Sequence, residues 1–292
     1  MILPNFLIIG AQKSATSAIY KQLKVHSEIY LPERKEIAFF SDEKNYQKGS
    51  NYYASFFKGG KNAKAIGEAT PNYLHIDTVP KRIHALIPEV KLICCLRNPI
   101  ERAYSAFLMQ ISKGSEPIGR TFEEAIFHSP YYIEYGMYAT QLERYYKYFS
   151  RDQLKIILFE DLKEKPMSVY NEICVFLDIK KFSNEEFVVK KTNRGGIPKS
   201  KLVQSATNKL YKFRNRVRDT SFSFLVTNKI VDNMSRNMRN RVSRWNRKVG
   251  SYPELQPQIK ERLIPLFEEE NKRLEQIIHR DLSIWNSVTE QN

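Results

Sequence analysis

Residues 6–18 read FLIIGAQKSATSA, which joins a short apolar run, a hydroxyl-rich turn and the start of an amphipathic stretch over 16–25. The run is typical of a buried strand, and the stretch has helical spacing. A strand that enters a helix through such a turn is suited to bind an anion, because the helix N-terminus presents unpaired N–H groups and the positive end of its dipole. Lys13 adds a positive charge, and Thr16 and Ser17 add hydroxyl donors. The alternative interpretation is an ordinary turn with an N-capping hydroxyl.

The turn departs from the Walker A motif of triphosphate-binding proteins. That motif places Lys directly after its second Gly, whereas Lys13 follows Gly10 by three positions. The apolar run 91–96 is followed by Arg97, where a Walker B strand would offer an Asp to Mg²⁺. The pattern therefore predicts phosphate recognition without a metal ion, and a small-molecule kinase remains as an alternative.

Strand-like and helix-like segments alternate along the first two thirds of the chain. The predicted strands are 6–9, 64–67, 91–96 and 155–159, and the predicted helices are 16–25, 79–87, 100–111 and 138–149. Such alternation predicts an α/β, P-loop-like, three-layer fold around a mostly parallel sheet. Residues 190–250 have little strand character, and 256–278 reads as one long amphipathic helix. We expect a single domain over 1–292, with a nucleotide-binding core at 1–180 and a basic loop and helical region at 190–292.

Several segments together resemble the sulfotransferases that use 3′-phosphoadenosine 5′-phosphosulfate (PAPS). They are GAQKSATS at 10–17, GEATPNY at 67–73, CLRNPIERAYS at 95–105, FEDL at 159–162 and RDLSIW at 280–285. The similarity is greatest to the bacterial and glycan-modifying branch, which includes the heparan sulfate sulfotransferases. It implies transfer of a sulfuryl group from PAPS, with 3′-phosphoadenosine 5′-phosphate (PAP) as product and no metal requirement.

The resemblance also implies the residues that hold PAPS. Lys13 and the loop Ser14, Ala15, Thr16 and Ser17 correspond to the 5′-phosphosulfate loop. Ala15 departs from the family, which usually has Gly there, and its methyl group is expected to alter how closely the backbone approaches a phosphate.

A second group corresponds to the 3′-phosphate site. It contains Arg97, Ser105 and, from a basic glycine-containing loop, Arg194 and Gly195. Arg97 at a strand end would supply a bidentate donor, and Ser105 would lie about two turns along the following helix.

The prediction for the acceptor side of the reaction depends on residues 35–40, KEIAFF. This segment resembles the glycan-branch motif whose Glu is the catalytic base, which makes Glu36 the candidate to take a proton from an attacking hydroxyl or amine. Lys13 would then stabilise the negative charge that develops on the leaving phosphate. The expected acceptor is a small molecule or a glycan, and the sequence does not identify it. His75 is a further candidate to line the acceptor cleft.

The net charge of +15 is concentrated in one stretch. Residues 190–248 hold 17 of the 47 Lys and Arg but only two of the 32 Asp and Glu. A field of this kind favours an anionic partner, such as an acidic acceptor or an anionic membrane surface touched peripherally. A non-enzymatic polyanion-binding protein is the third interpretation, but no RNA-binding motif accompanies the charge and we expect no nucleic-acid partner.

The composition of the 292 residues, with 42% apolar and 27% charged, is that of a globular protein and excludes collagen-like and disulfide-scaffold classes. No window approaches about 18 unbroken apolar residues, and the first ten residues lack a signal-peptide pattern, so a cytoplasmic protein is expected. The three cysteines include the adjacent Cys94 and Cys95, which are predicted core residues. No Cys or His spacing indicates zinc, and the oligomeric state stays open.

Overall fold

A computed structural model describes most of the chain. The described residues are 1–113, 115–117, 119–183, 185–187 and 254–287, with Ser200, Val203 and the backbone of 196–198 and 247–249. The chain divides into two compact units, the first made of Met1–Ala103, Pro130–Thr192 and Gln256–Asn292, the second of Tyr104–Ser129 and Asn193–Leu255.

The first unit contains a five-stranded parallel sheet with strand order β2-β3-β1-β4-β5. Its strands are β1 (Phe6–Gly10), β2 (Ile29–Tyr30), β3 (Ala65–Ala69), β4 (Lys91–Leu96) and β5 (Leu154–Leu158). β1 lies in the middle, with Phe6 opposite Gly67 of β3 on one side and Lys91 of β4 on the other. The predicted α/β class with a parallel sheet is confirmed.

Helices connect and cover the strands. They are α1 (Thr16–Leu23), α2 (Glu43–Tyr46), α3 (Gly49–Ala54), α4 (Val79–Leu86), α5 (Pro99–Lys113), α6 (Phe122–His128), α7 (Pro130–Glu134), α8 (Tyr138–Tyr146), α9 (Phe159–Glu164), α10 (Pro166–Phe176), α11 (Pro257–Leu263), α12 (Glu268–Ile278) and α13 (Ser283–Asn286). Short 3₁₀ turns occur at Ser55–Gly60, Pro71–Tyr73, Arg151–Gln153 and Ile264–Leu266. Among the helices that the structure describes, none combines the length and the apolar character of a transmembrane span.

Both faces of the sheet are buried. Leu92, Cys94 and Leu96 of β4 join one apolar cluster, while Ile93 and Cys95 join the other. Successive side chains of a strand point to opposite faces, so a sheet covered on both sides needs a continuous apolar run such as 91–96. The cysteines accordingly behave as core residues: Cys94 and Cys95 are fully buried, and all three thiols are free.

The second unit contains α5 from Tyr104 onward, and α6. A two-stranded antiparallel sheet pairs β6 (Gly196–Pro198) with β7 (Arg247–Val249). Most of the basic stretch 190–248 lies outside the described residues, and its predicted role stays a prediction.

The predicted long helix over 256–278 is wrong. α11 ends at Leu263, a 3₁₀ turn spans Ile264–Leu266, and α12 begins at Glu268. Pro265 explains the break, because proline has no backbone N–H and its ring collides with the preceding helical turn.

Candidate active site

The loop that follows β1 lies where the strand order changes direction, between the carboxyl ends of β3 and β4. In open α/β sheets this is the usual position of a ligand crevice. The Ala11 amide donates to the Cys95 carbonyl oxygen at 2.7 Å, and the Leu74 amide donates to the Ile9 carbonyl oxygen at 2.9 Å. The first bond fixes the start of the loop to the end of β4, and the second fixes the end of β1 to the segment that follows β3.

Ala15 has a left-handed backbone conformation, with φ of 59° and ψ of 11°, immediately before α1. Glycine adopts this region without a steric cost, whereas a Cβ is crowded there. The geometry explains why glycine suits this position, and it shows the loop turning into α1 even with alanine present. Lys13 is also left-handed, with φ of 73°.

The N-terminus of α1 has the features that a phosphate-type anion requires. Ala15 is its N-cap residue and provides no side-chain hydrogen bond to the first turn. The Ser14 side chain is fully buried, and its hydroxyl faces the buried Tyr138 hydroxyl without a hydrogen bond of standard geometry. A buried hydroxyl without a partner is costly unless a ligand or water satisfies it. Together with the half-buried Lys13, these groups fit the 5′-phosphosulfate end of a PAPS molecule.

Lys35 joins this loop to the candidate base. Its ammonium nitrogen, Nζ, donates to Ser17 Oγ at 2.7 Å and lies 3.4 Å from Glu36 Oε1. Burial lowers the pKa of Lys35, and the neighbouring Glu36 carboxylate opposes that effect. The Glu36 side chain is 59% exposed, so it is open to a substrate. Lys35 was not a predicted site residue, because no local sequence pattern indicates that its side chain reaches residue 17.

A buried carboxylate supports the segment that carries Glu36. Glu68 is 1% exposed and accepts hydrogen bonds from the hydroxyls of Tyr53 at 2.7 Å, Tyr73 at 2.8 Å and Thr70 at 2.9 Å. Thr70 Oγ1 in turn accepts from the Ala38 amide at 3.3 Å. Burial raises the pKa of Glu68, and these hydrogen bonds oppose the rise. The motif 67–73 thus helps to shape residues 36–40.

Arg97 follows the end of β4, as predicted, but its charge already has a partner. Its Nη2 and Nε donate to Glu101 Oε2 at 2.9 and 3.2 Å, and its guanidinium carbon lies 4.7 Å from the centre of the Phe159 ring. A 3′-phosphate would therefore share this guanidinium with Glu101. Ser105 lies on α5 within the second unit, and its pairing with Arg97 stays a prediction.

Tyrosines of α7 lie beside the loop that follows β1. The Tyr131 hydroxyl donates to the Gln12 side-chain oxygen, and the Gln12 amide donates to Asn72 Oδ1 at 3.3 Å. Arg102 is fully buried and donates to the Tyr132 carbonyl oxygen, with its guanidinium carbon 5.9 Å from the centre of the Tyr131 ring. These contacts place α7 next to the loop that follows β1. No local sequence pattern predicted them.

His75 packs in the same region. Its ring stacks on Tyr135, with 3.6 Å between ring centroids and 26° between planes. Burial and the Arg102 and Arg144 cations lower the pKa of His75 to about 4. His75 is therefore a neutral, stacked ring at pH 7.

Two predicted contacts, Arg194 and Gly195, lie outside the described residues and stay predictions. Within the part of the chain that the structure describes, no group of three or more His, Cys, Asp or Glu side chains is arranged to hold a metal ion.

Similarity to known proteins agrees with this geometry. A family model described as "Sulfotransferase domain" matches residues 3–275. A curated relative, the mouse "Bifunctional heparan sulfate N-deacetylase/N-sulfotransferase 4", is 35% identical over 196 residues, which cover 61% of this chain and 22% of the relative. The match thus spans about a fifth of that protein's length.

Solved structures show the same fold. The sulfotransferase from Alicyclobacillus acidocaldarius is 27% identical, covers 98% of this chain and 100% of its own, and superposes with a TM-score of 0.68. The mouse sulfotransferase SULT7A1 complexed with PAP has 16% identity and a TM-score of 0.50, covering 94% of this chain and 88% of its own, and shows the fold alone. Since the family model spans nearly the whole chain, the protein belongs to the sulfotransferase domain family.

Proposed function

We propose that this chain transfers the sulfuryl group of PAPS to a hydroxyl or amine of a carbohydrate acceptor. The observation that carries the proposal is the loop after β1, where Lys13, the buried Ser14 hydroxyl and a helix N-terminus without a side-chain cap meet. Sulfotransferases as a family use PAPS, and this chain belongs to that family.

Separate residues act on the leaving group and on the nucleophile. When bound, PAPS supplies the sulfuryl group and departs as PAP. Lys13 and the N–H groups at the start of α1 stabilise the negative charge that grows on the 5′-phosphate as the bond to sulfur breaks. Glu36 takes the proton of the attacking hydroxyl or amine. Arg97 binds the 3′-phosphate, exchanging part of its contact with Glu101 for it.

The proposed acceptor class comes from the relatives. The matched mouse protein is named as a heparan sulfate N-deacetylase/N-sulfotransferase, a name that specifies transfer to nitrogen on a glycan. A glycan with a free amine is therefore the first acceptor to test, and a glycan with hydroxyl groups alone is the second. The excess of positive charge at 190–248 agrees with an acidic acceptor.

A transfer assay with labelled PAPS tests the proposal. The acceptors are a glycan with free amines, a neutral glycan with hydroxyls alone, and a simple phenol. We expect transfer to a glycan without added metal, and a Glu36→Gln variant should lose about 10²-fold or more in kcat while its affinity for PAP is kept. Phosphoryl transfer from ATP and Mg²⁺ with none from PAPS would instead establish the kinase alternative. Heparin binding without turnover on any acceptor would favour the polyanion-binding alternative.

A further inference from the structure

Lys35 is placed unlike an ordinary surface lysine. Its side chain is 21% exposed, and its Nζ lies between two groups that belong to opposite sides of the proposed reaction. Ser17 Oγ, at 2.7 Å, belongs to the donor loop, which is our name for the proposed PAPS-binding residues 10–17. Glu36 Oε1, at 3.4 Å, belongs to the proposed base.

The hydrogen bond to Ser17 has a chemical consequence. A hydroxyl oxygen has one proton to donate and lone pairs that accept. Because the Lys35 ammonium donates to Ser17 Oγ, the Ser17 proton stays available for an anion held by the loop. Donation from a cation also polarises the hydroxyl, which makes it a stronger donor to a phosphate or sulfate oxygen.

The ion pair with Lys35 restrains Glu36, which lies on the acceptor side of the proposed reaction. Glu36 has a left-handed backbone with φ of 60°, and its amide donates to the Ala69 carbonyl oxygen at 3.1 Å. Its backbone is thereby held against the end of β3, while its carboxylate is 59% exposed and has Lys35 as its ion-pair partner. Burial of Lys35 lowers its pKa, and the nearby Lys21 cation acts in the same direction. An added anion at the loop would favour the charged form of Lys35.

We propose that Lys35 is a positioning residue that orients the Ser17 hydroxyl toward the 5′-phosphosulfate and holds Glu36 beside the donor loop. The inference rests on the proposed function and deepens it. Lys35 acts through two neighbours. Its removal should therefore change PAP affinity and kcat in ways that removal of a distant positive charge does not.

A double-mutant cycle on PAP affinity tests the donor side. The variants are Lys35→Met, Ser17→Ala and the double variant, with Lys61→Met as a control that removes an exposed lysine. Calorimetry should show each single variant binding PAP about fivefold more weakly, the magnitude of one hydrogen bond. The double variant should bind no more weakly than Ser17→Ala, because Lys35 acts through Ser17. Additive losses, or a Lys35→Met affinity equal to that of the control, would overturn the proposal.

Turnover tests the acceptor side. At saturating PAPS, Lys35→Met should still have a lower kcat than the Lys61→Met control, since Glu36 has lost its partner, and Lys35→Arg should recover part of it. Thermal unfolding checks that each variant folds, and Lys35→Gln replaces Lys35→Met in both experiments if the methionine variant does not. An unchanged kcat, or no recovery with arginine, contradicts the acceptor-side role.

Failure of this inference is distinguishable from failure of the proposed function. If the wild-type chain does not bind PAP, the proposed function fails. If wild type binds PAP and Lys13→Ala loses turnover, but the cycle is additive, only the role of Lys35 fails.

Discussion

The amide nitrogen of Ala11 donates a 2.7 Å hydrogen bond to the carbonyl oxygen of Cys95. This bond ties the loop after β1 to the end of β4, two residues before Arg97. The proposed contacts to the two ends of the donor nucleotide thus come from one edge of one sheet. A shift of either strand end would move one contact relative to the other.

Arg97→Lys should separate recognition of the 3′-phosphate from recognition of the rest of the nucleotide. Lysine keeps the charge but cannot donate two parallel hydrogen bonds from a planar group. We expect the affinity for PAP to fall about tenfold, since bonds between charged groups are worth about 1.5–3 kcal/mol. Adenosine 5′-phosphate, which lacks the 3′-phosphate, should bind both proteins equally in the same calorimetric titration. An equal loss for both ligands would contradict the assignment of Arg97.

Ala15→Gly should stabilise the protein or leave its stability unchanged, in contrast to an ordinary alanine-to-glycine substitution. The left-handed backbone of Ala15 costs about 1–2 kcal/mol with a Cβ present, which offsets the entropic cost of about 0.5–1 kcal/mol for introducing glycine. Ala18→Gly, within α1, is the matched control and should lose about 1 kcal/mol in urea unfolding. Equal losses in the two variants would show that residue 15 is not strained.

Gly67→Ala should destabilise the centre of the sheet. A Cβ at Gly67 would lie 2.4 Å from the nearest atom of the Phe6 ring on the neighbouring strand. Overpacking of this kind costs about 1–3 kcal/mol, measurable as a lower free energy of unfolding. Phe6→Leu in the same chain should cost less in the Gly67→Ala background than in wild type, because it relieves the clash. Additive losses would argue against contact between the two residues.

His75 should make the protein sensitive to acid. Its pKa is lowered to about 4 from an ordinary value of 6.5, so the unfolded chain binds a proton that the folded chain rejects between these values. Stability should therefore fall as pH drops from about 6.5 to about 4, by about 2 kcal/mol after allowance for the partial exposure of the ring.

The variant His75→Phe keeps a ring against Tyr135 and removes the titration. Urea unfolding at pH 7 and pH 4.5 should show a smaller loss for this variant than for wild type. His84→Phe, which replaces an exposed histidine, should keep the wild-type loss. An identical pH dependence in all three proteins would exclude His75 as the source.

Local patterns predicted the sheet well and the side-chain network poorly. The strand at 91–96 was predicted with its observed ends, because a continuous apolar run is what a strand buried on both faces requires. β2 is only two residues long and carries no such signal. The helix at 256–278 failed at Pro265, where the apolar periodicity continues through a residue that a helix interior does not tolerate.

The candidate site shows the same division. The loop at 10–17 was recognisable because a strand, a turn and a helix are adjacent in sequence. The Lys35–Ser17 contact and the hydrogen bonds from Tyr53 and Tyr73 to Glu68 join residues from separate elements. Such contacts depend on the tertiary packing, which no local spacing encodes. The roles of Glu36, Arg97 and Ser105 stay predictions until the chemistry is measured.

Binding of PAP tests the central claim most directly. PAP should raise the melting temperature of the wild-type chain in proportion to the logarithm of its concentration, because a ligand that binds only the folded state stabilises it by mass action. ATP and ADP at equal concentration should give a smaller rise, and Lys13→Ala should lose most of the response to PAP. A melting temperature that PAP leaves unchanged, or that ATP raises as much, would contradict the claim that the loop after β1 receives this nucleotide.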